Sequence, residues 1–237
     1  MRSWPSRIVV LVAIAVGGAG AIWGSARTAT SMPPDTPPAT GVPVLLVPGW
    51  LDNGREFAEL RIRFLVSGWA GTHVETVSFR QPTGSNRGHA IELDSAVTAL
   101  LEHSGVDRVD IVAHSMGGLA TRWYLLGRDN APVRRVVFIA SPHRGTLSAH
   151  FAWGGSREEM MPHSPFLNTL NTVAPVPAGV EAITIRTSVD THVVPAESAT
   201  LPGVTDHRLC CPTHAGLLRD QEVFDIVRQF LEGSLNR

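Results

Sequence analysis

The sequence predicts an α/β protein, a mostly parallel β-sheet covered by helices on both faces, and three observations carry that expectation. Apolar, β-branched runs alternate with segments of helical apolar spacing, and a serine between small residues stands at a sharp strand-to-helix turn. Once a terminal segment is set aside, 211 of the 237 residues remain, a length suited to one domain with one sizeable core. In chain order, residues 42–47 are strand-like, and residues 56–66 place Phe57, Leu60, Phe64 and Leu65 at amphipathic helical spacing. Residues 72–79 are β-branched and apolar and read as a strand. Ala90, Leu93, Val97, Leu100 and Leu101 form the core stripe of a helix that ends near Gly105. Residues 106–112 lead into the serine turn, and residues 119–126 continue from it as a helix. Residues 133–140 and 182–187 read as buried strands and residues 205–209 as a short one. Residues 221–231 put Val223, Phe224, Val227, Phe230 and Leu231 on one helical face. No internal repeat is visible.

The first segment bears on location. Arg2 and Arg7 precede a continuous apolar and glycine run from Ile8 to Gly24, followed by Ser25 and Ala26. Residues 1–26 therefore read as a secretory signal peptide, which would place the protein outside the cytoplasm. The rival is a retained membrane anchor, since the run is near the lower limit of about 17 residues for spanning a bilayer. With no cysteine near the cut, a lipid-modified anchor is excluded. Residues 27–41 form a Pro/Thr/Ala-rich stretch that reads as a flexible tether, and residues 42–237 as the folded domain.

The formal charge of −1 becomes −3 on loss of Arg2 and Arg7, and the remaining charges are mixed along the chain, so no nucleic-acid partner is expected. All 20 basic residues are arginine, without the clustering that phosphate recognition would need. Cys210 and Cys211 are adjacent; their α-carbons must lie near ~3.8 Å, below the usual disulfide range of roughly 4.4–6.8 Å. They form either a strained vicinal disulfide or two thiols. A metal site there lacks a third soft ligand of suitable spacing. No cofactor and no metal are expected.

The serine turn reads Ala113-His114-Ser115-Met116-Gly117-Gly118. Such a turn forces the serine into a sparsely populated backbone conformation and exposes its hydroxyl, provided that the residues two before and two after are small. Ala113 and Gly117 meet that demand. An unassisted hydroxyl is a poor nucleophile at neutral pH. It needs a base for its proton, a carboxylate to hold the base, and donors for the negative oxygen that forms. His114 precedes the serine and points away from its side of the turn, so it is read as structural.

Together with Val44-Leu45-Leu46-Val47-Pro48-Gly49-Trp50, Ser141-Pro142-His143-Arg144-Gly145-Thr146 and Ser164-Pro165-Phe166-Leu167-Asn168-Thr169-Leu170-Asn171, this turn resembles the secreted bacterial lipases of the α/β-hydrolase superfamily, in the same order and over roughly residues 42–232. The loop after the first strand departs from the common His-Gly, reading Pro48-Gly49. The resemblance implies a compact α/β-hydrolase catalytic domain and the chain order serine, acid, histidine. Asp190 is the chosen acid, because it follows a buried strand that delivers it to the sheet's carboxyl end. Asp206 and Glu197 are the alternates. His214, in Pro212-Thr213-His214-Ala215-Gly216, is the chosen base, ahead of His207 and His192. The oxyanion donors implied are the amides of Met116 and Trp50, since Pro48 has no N–H.

Residues 147–180 insert a long stretch between two strands. It reads either as an acyl-binding wall or mobile lid, or as a core helix with a Pro-rich return loop. Trp50, Leu51, Trp153, Met160, Met161 and Phe166 are the candidate substrate contacts. The resemblance implies a lipid or other acyl-ester substrate, transient contact with a lipid interface, and a monomer. Hydrolysis of carboxylic esters through an acyl-enzyme on Ser115 is the leading expectation. An acyltransferase or thioesterase acting on envelope lipids, and a non-catalytic binding protein of the same fold, are the alternatives.

Overall fold

The computed structural model describes residues 41–235, so the expected signal peptide of residues 1–26 and almost all of the tether lie outside the described residues. Among the described residues no helix is long and apolar enough to cross a membrane. Six parallel strands form one sheet: β1 (Val44–Val47), β2 (Val74–Thr76), β3 (Val109–His114), β4 (Val133–Ile139), β5 (Glu181–Thr187) and β6 (Thr205–Leu209), in the order β2-β1-β3-β4-β5-β6. Parallel strands need covered faces, and the sequence supplies the cover by alternation. Val44 and Leu46 of β1 point to one side, where α1 (Ala58–Val66) and α6 (Gln221–Glu232) bury Leu60, Phe64, Val223 and Val227 against them. Leu45 and Val47 point to the other, against Leu93 and Val97 of α2 (Asn86–Ser104) and Tyr124 and Leu125 of α3 (Gly117–Leu125). The apolar runs of β1, β3 and β4 are near-continuous because both faces are buried.

Helix ends follow local chemistry. Ser85 caps α2 by accepting from the Arg87 amide, and Gly105, at φ 71°, ends it where the sequence placed the stop. Asp220 caps α6 through the amides of Glu222 and Val223.

Two elements differ from expectation in extent. The strand expected over residues 72–79 is only Val74–Thr76, preceded by a 3-10 turn at Gly71–His73. It is an edge strand whose length is set by what β1 can pair with: Val77 N still donates to Leu46 O at 2.9 Å, and the chain then turns away while Phe79 stays in the core. The insert after β4 has the short helices and Pro-rich return of the second expected reading. A 3-10 turn (Leu147–Phe151), α4 (Ser156–Met160) and α5 (Pro165–Asn171) precede a Pro-rich return. Met160, Phe166, Leu167 and Leu170 form a small core with Met116 and Leu119. Cys210 and Cys211 are joined as a vicinal disulfide just after β6.

Candidate active site

The order of the sheet reverses between β1 and β3, and in open α/β sheets the crevice beyond the strand ends at such a reversal is where ligands bind. Gly49 and Trp50 follow β1 there and Ser115 follows β3; on the same edge, Asp190 follows β5 and His214 follows β6.

Ser115 has φ 53°, the left-handed region, with its amide donating to Ile139 O at 2.8 Å. A non-glycine residue held there costs on the order of 1–3 kcal/mol, sustained by the packing around it. That packing admits little variation. A β-carbon at Gly117 would lie 2.5 Å from the Pro48 carbonyl oxygen and 2.6 Å from that of Val47, so strand β1 and helix α3 pass closely only because Gly117 lacks one. A β-carbon at Gly49 would lie 2.9 Å from Ser115 Cβ, which puts the loop after β1 directly against the serine. Among the described residues, neither the Met116 nor the Trp50 amide is taken by another acceptor.

Asp190 and His214 are joined by His214 Nδ1 donating to Asp190 Oδ2 at 2.8 Å. Both side chains are nearly inaccessible, 2% and 7% exposed. Asp190 Oδ1 accepts from the amides of His192 and Val193, each at 2.8 Å, which fixes the carboxylate's direction. Burial alone would raise its pKa. The His214 hydrogen bond and positive charge, with the two amides, outweigh that and hold it below the usual carboxylate range. His214 begins the 3-10 turn Ala215–Arg219, anchored by the buried Leu217 and Leu218 and by Leu217 N donating to Thr213 O. With Nδ1 committed, Nε2 is its remaining ring nitrogen. No hydrogen bond links it to Ser115 Oγ among the described residues, though both residues line one cavity. Such bonds are often long before substrate binds.

Of the alternates, His192 lines the same cavity and stacks on the His214 ring at 4.7 Å, and the others are placed elsewhere. Asp206 is bound to Arg186 Nε at 2.9 Å and to Thr184 Oγ1 at 2.9 Å, and Glu197 pairs with Arg186 at 3.6 Å. His207 lies on β6. His114 is buried, as its structural reading requires, but it is not remote. Its ring lies 4.7 Å from that of His214, and its Nε2 donates to the His214 carbonyl oxygen at 3.3 Å. Burial and then the nearby His214 charge push its pKa well below the usual imidazole range, so it stays neutral. It supports the main chain of His214 and also lines the cavity beside Ser115, so it does not point away from the serine's side of the turn as expected.

The cavity that Ser115 and His214 share is about 420 Å³, within the range of roughly 300–1,000 Å³ common for small-molecule sites. Trp50, Leu51, Ala149, Phe151, Ala152, Met160 and Val193 supply its apolar lining. Three of the expected substrate contacts are not on it. Trp153 packs edge-on against Trp50 at 4.5 Å, and its carbonyl accepts from Trp50 Nε1 at 3.1 Å, so it orients Trp50 from outside. Phe166 is buried and stacks on Trp123 at 4.9 Å because α5 turns its apolar face inward, and Met161, at the end of α4, packs against the same small core. Phe151, 87% exposed at the rim, and Ala149 of the same insert do line it. Glu56 also lines the cavity, and no sequence signal pointed to it. Burial, then the charge of Asp52, raise its pKa.

Comparison with known proteins agrees with this architecture. Over 161 residues the chain is 32% identical to a triacylglycerol lipase of Burkholderia plantarii, a match covering 64% of this chain and 44% of that protein. It is 32% identical over 123 residues to a triacylglycerol lipase of Pseudarthrobacter phenanthrenivorans, covering 49% and 38%. The matches thus span less than half the length of either relative. Among solved structures, lipase BlEst2 of Bacillus licheniformis in its mature form superposes with a TM-score of 0.69 at 14% identity, covering 84% of this chain and 96% of that one. Lipase B of Aspergillus fumigatus does so with a TM-score of 0.67 at 20% identity, covering 79% and 52%. The family described as alpha/beta hydrolase fold matches residues 42–175, more than half of the sequence, and the chain belongs to that family.

Proposed function

We propose that this protein is a secreted serine hydrolase of carboxylic esters, a lipase or carboxylesterase, with Ser115 as nucleophile, His214 as general base and Asp190 as its orienting carboxylate. The observation that carries the reading is the buried 2.8 Å contact between Asp190 and His214, beside a serine at φ 53° on the same apolar cavity. The likeness to proteins named triacylglycerol lipases supports acyl esters as the substrate class.

In this reading His214 Nε2 takes the proton of Ser115 Oγ as the oxygen attacks the ester carbonyl. The tetrahedral oxyanion is met by the Met116 and Trp50 amides. His214 then returns its proton to the leaving alcohol, and an acyl-enzyme remains on Ser115. Water, deprotonated by His214 in turn, attacks it to release the carboxylic acid and restore the hydroxyl. An amide preset for a developing charge is worth about 2.7–4 kcal/mol, which makes the backbone of Trp50 more consequential than its indole. The apolar lining suits an acyl chain, and Phe151 at the rim suits approach to a lipid surface.

A fluorophosphonate probe followed by peptide mass spectrometry tests the chemistry. The adduct is expected on Ser115 alone, and an adduct on any other serine would remove the nucleophile assigned here. The secreted state rests on the basic and apolar composition of residues 1–26. The exported protein is expected to begin at or shortly after residue 27 on N-terminal sequencing, and an intact Met1 on protein recovered from the cytosol would oppose export.

A further inference from the structure

Asp190, His192 and His214 each bring one ligand atom to within 4.8 Å of the others. The turn that fixes Asp190 produces this arrangement. Oδ1 receives the His192 and Val193 amides while Oδ2 faces His214, so the histidine two residues on is carried up beside the pair. The His192 ring stacks on that of His214 with centroids 4.7 Å apart and 21° between planes. His192 is also the exposed member, with its Nδ1 3.3 Å from Thr191 Oγ1.

Two imidazoles and one carboxylate, with a fourth position left to water, are a donor set for a borderline-soft tetrahedral cation of the zinc class. Bonds of about 2.0–2.2 Å require the three atoms to draw closer together. The exposed His192 ring would have to leave its stack on His214 to supply part of that movement.

We propose that Asp190, His192 and His214 form an inhibitory Zn²⁺ site that competes with the arrangement needed for ester hydrolysis. Binding of the ion does not depend on the proposed function; only its inhibitory consequence does. A neutral imidazole carries one ring proton, held at Nδ1 of His214 for donation to Asp190. When the ion takes the Nδ1 lone pair, that proton leaves Nδ1 and one is taken up at Nε2 through solvent, with no net change in the ring's charge. Nε2 is then a donor and cannot accept the proton of Ser115. The ion also draws Asp190 Oδ2 away from the base.

The test uses the purified whole chain with zinc chloride. Bound zinc is counted by equilibrium dialysis, and p-nitrophenyl butyrate turnover is read relative to each protein's own zinc-free rate. Wild type is expected to bind one ion per chain and to lose turnover with the same midpoint. His192→Phe keeps a ring to stack on His214 but no ligand atom, and should weaken binding and shift inhibition by about tenfold or more, the scale at which even outer partners of metal ligands matter. His192→Asn carries the same expectation and guards against a folding defect in the first variant. Equal zinc binding by wild type and both variants, or no stoichiometric zinc on wild type, would overturn the proposal. Dialysis reads binding without turnover, so a chain that binds zinc through His192 yet hydrolyses no ester would sink the hydrolase reading and leave this site standing.

Discussion

Ser115→Ala is expected to lower turnover of p-nitrophenyl butyrate on the order of 10⁴-fold or more, with little change in melting temperature. The missing oxygen is the atom on which the acyl group would be carried, and the next hydroxyl along the chain, that of Thr121, is buried and donates to Gly117 O. Alanine is as small as serine at the crowded turn, and it inherits the same unfavourable φ of 53°. Folding should therefore survive while chemistry fails. Residual rate from the Met116 and Trp50 amides and from substrate binding is expected, since such donors act without the nucleophile. Equal hydrolysis by the variant and wild type would remove Ser115 from the mechanism.

His214→Ala should be comparably severe, again on the order of 10⁴-fold or more in kcat, and the double variant with Ser115→Ala should be scarcely worse than either single change, because the two act as one unit. Asp190→Asn is expected to be milder. Its amide keeps the volume of the carboxylate but cannot hold the imidazole with Nδ1 as donor and Nε2 as acceptor, so the wrong tautomer accumulates. The carboxylate's depressed pKa means that Asp190 is ionised at neutral pH, the state that holds His214 correctly. Additive losses in the Ser115/His214 double variant would argue that the two residues work separately.

How far the sequence led depends on which residue is asked about. Strands β1, β3 and β4 were legible because apolar side chains on both faces leave a continuous run that little else produces. Strand β2 is shorter than its composition predicts. Val77 and Phe79 are apolar because they are buried, but pairing with β1 covers only Val74–Thr76, and composition does not record a neighbour's length. The chain order of serine, acid and histidine selected Asp190 and His214 from several candidates, and the two lie 2.8 Å apart. The cavity lining was less legible. Phe151 and Phe166 are both aromatic residues of one insert, yet one stands at the rim and the other stacks on Trp123, a difference decided by how α5 packs on α3. Glu56 was invisible for a related reason: nothing in residues 55–57 distinguishes a short turn at the cavity from one at any other surface.

The placement of the three polar side chains on different strands carries a mechanical implication. Ser115 hangs from β3 and His214 from β6, with β4 and β5 between them. A slip of one residue along any of the three intervening seams would displace one partner relative to the other by about 3.3 Å, more than a hydrogen bond spans. The sheet is thus a ruler as much as a scaffold.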